Sequence, residues 1–217
     1  MTEKDIIDST VNFVKITLQD AEGGHDWWHI ERVWKNALAI SKTEKVNLHV
    51  VELGALLHDI ADSKFNNGNE EIGPAKATQF LQSLQVSKDI IEHVENIIRN
   101  ISFKGGNFIQ SFSSAELAVV QDADRLDALG AIGIARAFNY GGFKNREIYN
   151  PGISPDLAMG KQKYQTNTAP TINHFYEKLL LLKNKMNTTT GKQMAEQRHA
   201  FMETFLDQFY QEWEGKK

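Results

Sequence analysis

The chain has 217 residues, 24 Lys and Arg against 28 Asp and Glu, a net charge of −4 and no cysteine. The length allows one sizeable core, and the acidic balance excludes a global basic field for nucleic acid. The lack of cysteine excludes disulfides, thiolate zinc sites and a cysteine nucleophile, and fits a reducing compartment. The start, Met1-Thr2-Glu3-Lys4-Asp5, is charged and no long apolar stretch follows it, so no signal peptide is expected. No window approaches the ~18 apolar residues of a membrane span. A soluble cytoplasmic protein is the expectation, with neither membrane nor nucleic acid as a partner.

In chain order the periodicity is helical. Ile7, Val11, Val14 and Leu18 fall at helical spacing, as do His29, Val33, Asn36 and Ile40. The second set puts His29 on an inward stripe. The apolar run Val50–Leu57 ends on His58-Asp59. Ile90, Val94, Ile97, Ile98 and Ile101 form an amphipathic face. Residues 114 to about 138 read as one alanine-rich helix, and 171–186 and 191–214 as two more. No run alternates with period two. The expected fold is all-α and single-domain over 1–217, with 171–217 as C-terminal helices.

The exception is 139–170, which opens Asn139-Tyr140-Gly141-Gly142 and contains Pro151, Pro155 and Pro170. A loop that long is often functional. Lys144, Arg146, Lys161 and Lys163 make one reading a lid over an anionic substrate. The other reading is a solvated connector.

An imidazole beside a carboxylate at the end of an apolar run is costly to bury unless something satisfies both. A divalent cation does so. His29 lies upstream in Gly24-His25-Asp26-Trp27-Trp28-His29, and Asp124 downstream in Gln121-Asp122-Ala123-Asp124-Arg125-Leu126-Asp127. Two imidazoles and two carboxylates supply four ligands and leave an octahedral ion two open positions. Neutral imidazole suits manganese, iron, cobalt, nickel or zinc better than magnesium. Adjacent helical residues diverge by about 100°, so His58 and Asp59 share an ion most easily near a helix end.

The order His, His-Asp, Asp resembles the HD-domain metal-dependent phosphohydrolases, with residues 22–130 as the HD core. Ile101-Ser102-Phe103-Lys104-Gly105 and Asn173-His174-Phe175-Tyr176-Glu177-Lys178 are similar to a subgroup of small bacterial HD hydrolases. That resemblance implies a nucleotide pyrophosphohydrolase, cleaving nucleoside triphosphates to monophosphate and pyrophosphate. Its implied ion is a single divalent metal, Mn, Ni, Co or Fe ahead of Mg or Zn, held by His29, His58, Asp59 and Asp124. The choice of Asp124 follows the family's Ala-Asp-Arg-Leu unit. Asp122 points to nearly the opposite helix face and reads as a surface or capping group. Asp127 reads as support for a ligand histidine. The face of Asp124 continues through Ala128, Ala131 and Ala135.

Related HD nucleotidases carry an acidic residue where Asp62 stands, which makes Asp62 a candidate acid–base group; a helix-end carboxylate in water is the other reading. Lys64 and Lys104 are candidates to neutralise phosphate oxygens, with solvated lysines as the alternative. Lys144 and Arg146 join them as candidate substrate contacts. Arg136 reads as a buried ion-pair member or a phosphate contact. His93 is the one histidine between the His-Asp pair and Asp124 available to a second ion. His25 reads as capping or support, and His49 and His199 as surface residues. Either His174 or Lys178 could reach a pocket mouth. One of Trp27 and Trp28 could stack on a base. Competing functions are a 5'-nucleotidase or other phosphomonoesterase, a phosphodiesterase, and a non-catalytic HD signalling module. A homodimer is compatible with the sequence.

Overall fold

A computed structural model describes residues 1–21, 24–61, 69–101, 112–158 and 168–217. Among these there are helices and no strand, as the periodicity predicts. Two compact units emerge, Met1–Asp124 and Arg125–Lys217, with the boundary inside one helix.

The first unit contains α1 (Glu3–Thr17), α2 (Trp27–Ser41), α3 (Leu48–Leu57), α4 (Ile72–Ser83), α5 (Lys88–Asn100) and most of α6 (Ala115–Asp127). The helix starts are encoded locally. Thr2 and Asp5 form a capping box, the Asp26 carboxylate accepts from the His29 amide at 3.0 Å, and Asn47 accepts from the Val50 amide at 3.3 Å. Helix α3 is the centre, packed by α1, α2 and α5. From His49 to Leu57 every residue of α3 except Glu52 is buried. Each large apolar side chain taken out of water there stabilises the fold by about 1.5–3 kcal/mol. Gly54 permits the close approach of α5, because a Cβ on it would lie 3.2 Å from two carbons of Ile97. Two side-chain amides tie α6 into this unit: Asn36 donates to the Ala123 carbonyl at 3.2 Å and Gln121 to the Asn100 carbonyl at 2.9 Å.

The second unit contains the end of α6, then α7 (Gly130–Phe143), α8 (Thr171–Glu177), a 3-10 helix (Leu179–Lys185) and α9 (Thr189–Trp213). Phe138, Phe175 and Phe205, one each from α7, α8 and α9, pack together with ring centroids 5.9–6.0 Å apart, Phe175 stacked on Phe205 and Phe138 edge-on to Phe205. Backbone bonds from Thr171 to the Glu147 carbonyl and from Ile172 to the Ile148 carbonyl pin the segment leading into α8.

Three expectations are corrected. The predicted helix over 114–138 is two helices. Leu129 is extended (φ −118°, ψ 159°) and Gly130 takes φ +69°, which turns the chain sharply between α6 and α7. The stripe Asp124–Ala128–Ala131–Ala135 is therefore not one helix face. Helix α7 runs on through Gly141 and Gly142 to Phe143, so the non-helical stretch starts at Lys144 rather than at 139. The two glycines form the last turn of α7, and Gly141 is buried where a Cβ would strike the Thr171 hydroxyl. The segment 171–186 is α-helical only to Glu177; Lys178 breaks it at φ −142°, and a 3-10 helix follows.

Candidate metal centre

His58 caps the carbonyl end of α3, where the apolar run stops. Its Nδ1–H donates to the Ala55 carbonyl at 2.8 Å. That bond leaves Nε2 as the lone-pair nitrogen. Nε2 is buried and has no hydrogen-bond partner among the described residues. His29, 2 % exposed on the inner stripe of α2, brings its ring to 5.3 Å from that of His58. Asp59 completes a group of three whose ligand atoms all lie within 4.8 Å of one another. From α6, Asp124 Oδ1 reaches 3.5 Å from His29 Nε2 and 3.9 Å from His58 Nε2.

His25, just ahead of the α2 cap, places Nδ1 2.5 Å from Asp59 Oδ2 and donates to it. Burial alone would raise the Asp59 pKa. The hydrogen bond from His25 and the adjacent His58, His25 and His29 rings outweigh it and hold the carboxyl down at about 2. Asp59 is thus an anion at neutral pH.

This donor set fits a divalent ion. The buried Nε2 of His58, with no hydrogen-bond partner among the described residues, lies 3.9 Å from a carboxylate oxygen of Asp124. A cation held between them would satisfy both groups. Imidazole nitrogens with carboxylates suit borderline divalent metals. The hydrogen bonds from His58 to Ala55 and from His25 to Asp59 are the outer support that orients metal ligands.

The other predicted residues fall as follows. Asp62, Lys64 and Lys104 lie outside the described residues, as do Lys161 and Lys163. Arg136 pairs with the buried Asp127 at 2.5 Å. Oδ2 of the Asp127 carboxylate thus meets a guanidinium. Lys144 and Arg146 belong to the second unit and lie over the Tyr140 ring, at 5.7 and 5.5 Å. Asp122, expected at the surface, is fully buried. His49 and His199 are buried too: His49 is on the all-round apolar α3, and His199 takes a contact from Lys183 Nζ at 2.8 Å. His93 bonds to the Ser114 hydroxyl at 2.9 Å and lies 3.4 Å from Glu116. His174 is held to a pKa of about 3 by burial and by the Lys178 and Arg146 charges. Trp28 is exposed, while Trp27 lies under Lys15. Arg198, which carried no local signal, donates to the Leu126 carbonyl at 2.5 Å.

A buried cluster of histidines and carboxylates set among helices defines an all-α protein with a candidate metal centre. Residues 27–129 match the HD domain family, and the chain belongs to it as an HD-superfamily hydrolase. It is 37 % identical over 204 residues to the uncharacterized protein YpgQ of Bacillus subtilis, covering 94 % of this chain and 91 % of that one. An HD-superfamily hydrolase of Bacillus thuringiensis has a crystal structure that superposes with a TM-score of 0.79 at 46 % identity, covering 98 % of this chain and 99 % of that chain. The crystal structure of B. subtilis YpgQ in complex with ADP superposes with a TM-score of 0.75 at 34 % identity, covering 98 % and 97 %. Among the described residues no helix is long and apolar enough to cross a membrane.

Proposed function

We propose that this hydrolase acts on nucleotides, cleaving nucleoside triphosphates to monophosphate and pyrophosphate with one divalent ion of the Mn, Ni, Co or Fe type. The observation that carries the metal reading is the buried lone pair of His58 Nε2 facing Asp124 Oδ1. The ADP complex of the similar YpgQ supports a nucleotide as substrate.

His29, His58, Asp59 and Asp124 would hold the ion. When bound there, it lowers the pKa of its water and polarises a phosphoryl oxygen. His25 keeps Asp59 oriented and anionic. Water oxygen bonds to the α-phosphorus as the bridging bond to the β-phosphate breaks. The departing pyrophosphate carries high charge and needs cations beside it. Lys64, Lys104, Lys144 and Arg146 are the assigned supply. Asp62 is assigned to proton transfer at the water or the leaving group.

Hydrolysis in isotopically labelled water tests this reading. Label in the nucleoside monophosphate, with unlabelled pyrophosphate, is the expected result. Label in orthophosphate with diphosphate as co-product would place attack at the terminal phosphorus. Turnover of monophosphates alone would make the protein a nucleotidase.

A further inference from the structure

The Asp127 carboxylate is 1 % exposed and sits at the carbonyl end of α6. Two effects disfavour an anion there: burial, and the negative end of the helix dipole. Two guanidiniums answer it. Arg136 of α7 places Nη1 2.5 Å from Asp127 Oδ2 and 3.3 Å from the Asp127 carbonyl oxygen. Arg198 of α9 donates to the Leu126 carbonyl at 2.5 Å. Gly130 leaves the path of Arg198 open, since a Cβ on it would sit 3.1 Å from Arg198 Cγ. The last two carbonyls of α6 are thereby tied by two separate helices.

One turn earlier on α6 stands Asp124. Of the four ligand side chains it is the most exposed, at 37 % against 3 % for His29, 4 % for His58 and 16 % for Asp59. His58 and Asp59 are each oriented by a short hydrogen bond, from Nδ1 of His58 to Ala55 and from His25 to Asp59. Asp124 instead meets His29 and His58 at 3.5 and 3.9 Å, too far for such a bond. Where its carboxylate stands therefore depends on where α6 stands, which Asn36 holds at the Ala123 carbonyl on one side of Asp124 and the two arginines hold at residues 126 and 127 on the other.

We propose that Arg136 and Arg198 are positioning residues for Asp124: by clamping the carbonyl end of α6 they set the place of that carboxylate in the metal centre. The inference rests on the metal reading above. Mn²⁺ titration by calorimetry, on the full chain with substrate absent, tests it. R136Q and R198Q are compared with native protein, with D124A and with R99Q, which breaks the Arg99 pairs to Glu71 and Glu95 elsewhere in the fold. Each titration is run at a temperature where circular dichroism shows that variant fully folded, so a loss of global stability alone leaves Kd unmoved. Expected are a Kd raised about ten- to a hundredfold in R136Q and R198Q, the scale for outer supports of metal ligands, native affinity in R99Q, and partial rescue by R136K. If R136Q does not fold, R198Q and R136K decide by the same measurement. Native affinity in the folded arginine variants, with binding lost in D124A, overturns the clamp and leaves the metal centre standing. Native affinity in D124A overturns both.

Discussion

His25 and Asp59, 34 residues apart in the chain, meet at 2.5 Å between Nδ1 and Oδ2. The contact joins the entry to α2 with the residue after the α3 cap. It leaves Asp59 Oδ2 engaged from outside the cluster of ligand atoms. His25→Ala is expected to keep the fold and weaken Mn²⁺ binding by about ten- to a hundredfold. Calorimetric titration of the folded variant checks this, and unchanged affinity would show that Asp59 needs no such support.

Direct ligands should behave differently. In His58→Ala and Asp124→Ala the remaining groups form an incomplete shell, so purified protein should carry sub-stoichiometric metal and show no turnover. Elemental analysis after dialysis is the measurement. Full occupancy in both variants would remove them from the ligand set.

Asp62 follows Asp59 by three residues, the position at which the HD resemblance implies an acid–base group. Asp62→Asn is expected to retain metal while turnover falls about a hundredfold or more, the scale of general acid–base assistance. A variant with native rates would return Asp62 to a solvated carboxylate.

Stability should also depend on His174. Burial first, then the Lys178 and Arg146 charges, depress its pKa from 6.5 to about 3 in the folded protein. Between those values the unfolded chain binds the extra proton and the folded chain does not. Stability from this group is complete above about pH 6.5 and declines as the pH falls toward 3. Urea unfolding at pH 7 and pH 4.5 should show a larger loss for native protein than for His174→Gln. Equal losses would contradict the assignment.

Gly130 combines φ +69° with close contact to Arg198. Gly130→Ala forces a side chain into the left-handed region and against Arg198 Cγ, at a cost of about 1–3 kcal/mol. Chemical denaturation measures this directly; a stability equal to native would mean that the α6–α7 turn relaxes freely.

The sequence by itself determined the helical class, the inward face of α2 with His29, and His58-Asp59 at the end of an apolar helix. These are local matters of period and capping, which neighbouring residues encode. The stop at Gly130 was less legible. Alanine-rich flanks sustain helix propensity on both sides, and one glycine in a helical pattern is tolerated. Only the tertiary structure decided that Asp122, His49 and His199 are buried, since an ionisable side chain reads locally as a surface position. It likewise decided that His25 serves Asp59 and that Arg136 and Arg198 hold the end of α6. Such pairings join residues 9 to 72 positions apart. Hydrogen bonds and charge pairing act over a few ångströms of space, and no spacing along the chain encodes which buried carboxylate or carbonyl a given side chain will reach.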